Sequence, residues 1–176
     1  ADPELPQPGP KEHENGFLNA WHQEMEIIRV MIEYATENLI FKIENKQKRE
    51  EEISVRVIDF ICTEIIEDQL HFEDTVFQKI FDIYRDAWEK GVLPETKNLL
   101  AHPDSDIRQR VTDLNISQYT LSKNWESRLR IFVRDEQTNL KDSVVEALYN
   151  FKLKKIEILI DSNLKAIQHL ETSGPS

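Results

Sequence analysis

From Leu18 to about Tyr34, the apolar side chains Trp21, Met25, Ile28, Met31, Ile32 and Ala35 recur in steps of three and four. That spacing puts them on one face of a helix turned towards a core. Leu39 to Ile43 has the composition of a strand but no evident partner, so it reads as the helix end and an extended exit. The charged and amide run from Asn45 to Glu52 reads as a solvated loop. Ser54 is placed to cap a second helix, whose buried face is Val57, Ile58, Ile61, Ile65 and Ile66. After a turn at Phe72 to Thr75, a third helix runs to about Lys90, with Val76, Phe77, Ile80, Phe81, Ile83, Tyr84 and Trp88 apolar. Gly91 is positioned as its C-terminal cap, and Pro94 follows. Two short helices are expected between Pro94 and Asn115, separated by His102-Pro103, the second from Asp106 to Leu114. From Tyr119 to Val133, Leu121, Trp125 and Leu129 keep a helical spacing, while Ile131-Phe132-Val133 also fits an extended segment. One long helix is expected from about Thr138 to Leu170, through Leu140, Val144, Leu148, Phe151, Ile156, Leu159, Ile160, Leu164 and Ile167. A helix of that length measures on the order of 50 Å, so its far end should project beyond the bundle.

The turn formers agree with this reading. Phe17 to Lys90 and Asp104 to Ser173 contain neither glycine nor proline. Hairpins and bulges usually call on Gly, Asn-Gly or Pro. The expected fold is therefore all-α, a helical bundle followed by a long C-terminal helix. Residues 1–16 read as a disordered or linker segment and 17–135 as the bundle. Residues 136–171 read as the long helix, and 172–176 as a disordered tail.

Charge narrows the partners. Residues 1–74 hold 18 acidic and 7 basic side chains, which accounts for the whole net charge of −11. Such a half repels phosphate backbones, so no direct nucleic-acid binding is expected. No apolar run approaches the ~18 residues that a membrane span needs, so no membrane partner is expected either. The single cysteine, Cys62, lies in an apolar segment and reads as a small buried hydrophobe. A lone cysteine fits a reducing, cytoplasmic setting.

Recognisable catalytic chemistry is missing from the sequence. There is no G-x-x-x-x-G-K and no G-x-G-x-x-G to cradle a phosphate. The histidines are scattered, and only Asp68-x-x-His71 resembles half of a carboxylate-bridged metal site. No nucleophile motif stands out. Neither catalysis by this chain nor a metal or other cofactor is expected, and function is expected on helix surfaces.

Several stretches carry a family resemblance. Glu24-Met25-Glu26-Ile27-Ile28-Arg29-Val30-Met31-Ile32-Glu33-Tyr34 resembles the opening of the C-terminal domain of bacterial (DnaG-type) DNA primases. Phe72-Glu73-Asp74-Thr75-Val76-Phe77-Gln78-Lys79-Ile80 is similar to a helix start in the same domain. His102-Pro103-Asp104-Ser105-Asp106-Ile107-Arg108, Tyr119-Thr120-Leu121-Ser122-Lys123-Asn124-Trp125-Glu126 and Ala147-Leu148-Tyr149-Asn150-Phe151-Lys152-Leu153-Lys154-Lys155-Ile156 resemble the Bacteroides-like branch. The resemblance spans roughly Phe17 to Gln168.

The resemblance implies a non-catalytic domain of a primase, an RNA-polymerising nucleotidyltransferase, that docks on the N-terminal domains of the hexameric replicative helicase. In that family a long helix leads into a terminal helical hairpin. Here only the hairpin's first helix is expected by His169-Leu170-Glu171. The contact is expected on the exposed side of Tyr149 to Lys155 and on the distal helix, at Tyr149, Lys152, Lys154, Lys155, Leu159, Asn163, Leu164 and Ile167. A stripe of Leu159, Ile160, Leu164 and Ile167 without a partner also invites self-association or packing back on the bundle. The competing expectation is a helical adaptor or regulatory module unrelated to replication.

Overall fold

A computed structural model describes residues 19–44, 49–115 and 136–172. The expectations for residues 1–16, 119–133 and 173–176 lie outside those residues. The elements follow in the order α1 (Trp21–Tyr34), β1 (Asn38–Glu44), β2 (Glu50–Arg56), α2 (Val57–Glu67), α3 (Thr75–Glu89) and α4 (Thr96–Leu100). Then come α5 (residues 105–115) and α6 (Glu136–Thr172).

The fold is mostly helical, but the all-α expectation is corrected by a two-stranded antiparallel sheet. Its register runs from Asn38↔Arg56 to Glu44↔Glu50. The charged run from Asn45 to Glu52, expected to be a solvated loop, is thus partly β2. Its polar composition has a physical reason: β2 is exposed along nearly its whole length, so nothing forces apolar alternation on Glu50-Glu51-Glu52. The residues between the strands contain no glycine to advertise a hairpin. The ribbon is held on one side only, by buried Leu39 and by Phe41, whose ring lies 5.4 Å from that of Phe60.

The hairpin also resets the start of α2. Arg56, not Ser54, is the residue before the first turn, and no side chain caps it. The backbone of the α1–β1 turn takes that role, with Val57 N–H donating to the Glu37 carbonyl (2.9 Å) and Ile58 N–H to that of Ala35 (3.1 Å). Helix α3 is closed at both ends, at Gly91 as expected and at Asp74 by a cap the sequence reading gave only as a turn. Asp74 accepts from the backbone of Val76 (2.8 Å) and Phe77 (3.0 Å) at its start. At its end Gly91 adopts φ 74°, and the Gly91 and Val92 N–H groups donate to Trp88 and Ala87. That is the hydrogen-bond pattern of a Schellman cap. Helix α2 ends in the same way with Gln69, a residue with a Cβ, at φ 53°.

One continuous core joins these elements. It takes Ile27, Ile28 and Met31 from α1, Ile58 and Ile61 from α2, and Phe77, Ile80 and Tyr84 from α3. Leu99, Ile107 and Val111 close one flank, and Val144, Leu148 and Phe151 of α6 close another. The α1 stripe is rotated from the expected one. Glu24, Ile27, Ile28, Val30 and Met31 are buried, whereas Met25 is only partly so and Trp21 is exposed.

Candidate partner-docking helix

Helix α6 spans 37 residues, about 55 Å at the α-helical rise. Its proximal half is anchored on the side of Val144, Ala147, Leu148 and Phe151, all buried against α1 and the body. Phe151 stacks on Phe72 with ring centroids 5.2 Å apart.

Two clusters of charge fix the helix where it leaves the body. Glu24 is 1% exposed. It accepts from Glu73 N–H (2.7 Å), Asp74 N–H (3.0 Å) and the Lys155 ammonium (2.7 Å). A carboxylate can be buried only when its lone pairs are met in this way. Lys155 also reaches Glu73 (3.2 Å) and sits 5.4 Å from the Phe151 ring centroid. One turn back, Lys152 lies 2.5 Å from Glu64 and 2.6 Å from Asp68. Burial opposes the charge of Lys152, but its hydrogen bonds to Asp68 and Glu64 outweigh it and hold the ammonium above the usual lysine range.

The residues expected to meet a partner therefore separate. Lys152 and Lys155 are engaged with the body, and Lys154 pairs with Glu157 on its own helix (3.2 Å). Tyr149 is 67% exposed, on the side of α6 away from Phe151. Leu159, Asn163, Leu164 and Ile167 all stand in solvent. They are joined there by residues the sequence reading did not assign to the contact, namely Leu153, Ile156 and Leu170, along with Ile160 of the expected stripe. Ile156, Leu159, Ile160, Leu164, Ile167 and Leu170 are 52% to 72% exposed, whereas Ile158, seven residues on from Phe151 and on the same face, is half-buried. Helical spacing alone does not distinguish these positions from core. What distinguishes them is that Leu153, Ile156 and Ile160 lie on the face turned away from the body, and that nothing covers either face from Ser162 onward.

Glu24 was also missed as an anchor. Its signal was its place on the core face, four residues before Ile28 and seven before Met31.

Elsewhere among the described residues the surface offers little chemistry. A cleft of about 390 Å³ lies between the end of α1 and residues 93–97, but its Glu33 is committed to Arg29 at 2.8 Å. Burial pushes the Tyr84 hydroxyl beside it up to about 12. Burial likewise pushes the Cys62 thiol up to about 12, the behaviour of a core residue. Asp68 is taken by Lys152 and His71 is exposed. Among the described residues, no group of three or more His, Cys, Asp or Glu is placed to hold a metal ion. Nor, among them, is any helix long and apolar enough to cross a membrane.

The architecture is that of a small helical body presenting a long, half-bare helix. The chain belongs to the family described as "Domain of unknown function (DUF8430)", whose model matches residues 10–175. No curated protein and no solved structure matches it.

Proposed function

We propose that this domain is a non-catalytic docking module, and that its partner is the N-terminal region of a hexameric replicative helicase, engaged on behalf of a DNA primase. The observation that carries the docking role is the row of exposed apolar side chains on α6 from Ile156 to Leu170. Apolar side chains held in a row on a rigid helix suit a helical partner surface that supplies matching grooves. The body contributes stiffness. Glu24 and Lys155 clamp the helix at its exit, so the presented face has a fixed direction before any partner arrives. The choice of helicase rests on the primase-like segments around Glu24 to Tyr34, His102 to Arg108 and Ala147 to Ile156.

The test is calorimetric titration of the domain into the helicase N-terminal domains from the same organism. Binding is expected, with at least a tenfold loss for Leu164→Asp. If the domain does not bind, the primase reading is wrong and a regulatory adaptor takes its place.

A further inference from the structure

We infer that the bare face of α6 pairs with the same face of a second copy of this chain, as a parallel two-stranded coiled coil in register. The pairing draws on the face that carries the proposed helicase contact, and it is argued from the chain's own residues without reference to that partner. Leu153, Ile156, Ile160, Asn163, Ile167 and Leu170 follow one another in alternating steps of three and four, and Tyr149 lies four residues before the first. That alternation repeats every seven residues and defines a narrow seam for helix pairing, distinct from the wider face a globular core requires. All seven side chains are exposed in the isolated chain.

The seam is self-complementary in one arrangement. With two copies parallel and in register, Asn163 faces Asn163 of the second copy, and each amide can donate to the other's carbonyl. An antiparallel overlap of the same seam sets Asn163 against Ile160 and leaves the amide without a polar partner. In the parallel register the flanking positions also agree. Leu159 meets Leu164 of the second copy and Ala166 meets Glu171, while Lys152 stays with Glu64 and Asp68 of its own body, so no like charges face each other. The bodies do not obstruct the pairing. Val144, Ala147, Leu148 and Phe151 bind the body, while Tyr149 and Leu153 lie on the other side of the helix. The two bodies would flank the pair from outside.

The experiment is sedimentation equilibrium of the whole chain over a concentration series, with oxidative cross-linking of Asn163→Cys beside it. The expected result is a species of twice the 20.8 kDa chain mass, converted to monomer by Ile160→Asp with the helical circular dichroism of the body retained. Asn163→Cys should give a disulfide-linked dimer under mild oxidant, because a parallel register brings the two positions together. Cys62 is buried and should stay silent. A monomer throughout the series overturns the inference, as does a dimer that survives Ile160→Asp. A dimer that Ile160→Asp dissociates but that fails to cross-link at position 163 overturns the parallel register. Helicase binding by a strictly monomeric chain would remove this inference and leave the proposed function standing. A cross-linked dimer that ignores the helicase would do the reverse.

Discussion

The two halves of α6 are built from much the same residue types, yet one half is core and the other is surface. Leu148 and Phe151 are buried, while Leu153, Ile156 and Ile160 on the same continuous helix stand in solvent. The difference lies in what is beneath them. Around residues 144–151 one face of the helix lies on α1 and the side chain of Phe72, while Leu153, Ile156 and Ile160 lie on the opposite face; from Ser162 onward every side chain is exposed. Burial is thus a property of the assembled layers rather than of the apolar residue itself. The boundary between the halves is marked by charge. Glu24 and Lys155 meet where the helix leaves the core, and Lys152 lies between Glu64 and Asp68 one turn earlier.

The sharpest way to break this comparison is to truncate one side chain in each half. Phe151→Ala removes a fully buried ring and should cost about 4 kcal/mol. Ile160→Ala, at dilutions where the chain is a monomer, should change stability by less than about 0.5 kcal/mol. Urea midpoints followed by circular dichroism give both numbers, and equal losses would show that the distal half is part of the core. Next in size is the charge clamp. Glu24→Ala leaves the Glu73 and Asp74 N–H groups without their acceptor and the Lys155 ammonium with Glu73 alone, at a cost of about 3 kcal/mol. Glu24→Gln, which keeps an acceptor oxygen, should recover part of that loss. If Glu24→Ala unfolds at the wild-type urea concentration, the clamp is not what fixes the helix. The smallest effect sharpens the comparison by touching neither half of α6. Gln69 adopts φ 53° at the end of α2, a conformation that costs a residue with a Cβ energy that glycine avoids. Gln69→Gly should therefore raise the stability of the body by about 0.5 kcal/mol. A thermal melt that falls on this change would show that the side chain itself holds the turn.

Much of the body was legible in the sequence because local and tertiary signals agree there. Helix α3 was marked at its end by Gly91 and along its length by Phe77, Ile80, Phe81 and Tyr84, and the structure buries those four. The hairpin was hidden because its determinants are not local. Leu39 and Phe41 needed a partner strand, and β2 offers almost no buried side chain by which to recognise one. The first helix was found, but its stripe was placed a few tens of degrees off. A buried glutamate occupied a core position that apolar counting passed over, and Met25 was counted in its stead. For the candidate site, the apolar stripe could be read from spacing. The fate of the lysines could not, because Glu24, Glu64, Asp68 and Glu73 are far away in sequence from Lys152 and Lys155.

The contact between Glu24 and Lys155 spans 131 residues of chain, and it therefore also sets a delay. During synthesis at ~5–20 residues per second, α1 emerges on the order of ten seconds before the segment that completes its burial. For that interval Glu24 has no Lys155 to pair with, and an ionised carboxylate resists burial without a partner. The completion of the α1 face therefore waits on the last helix to leave the ribosome.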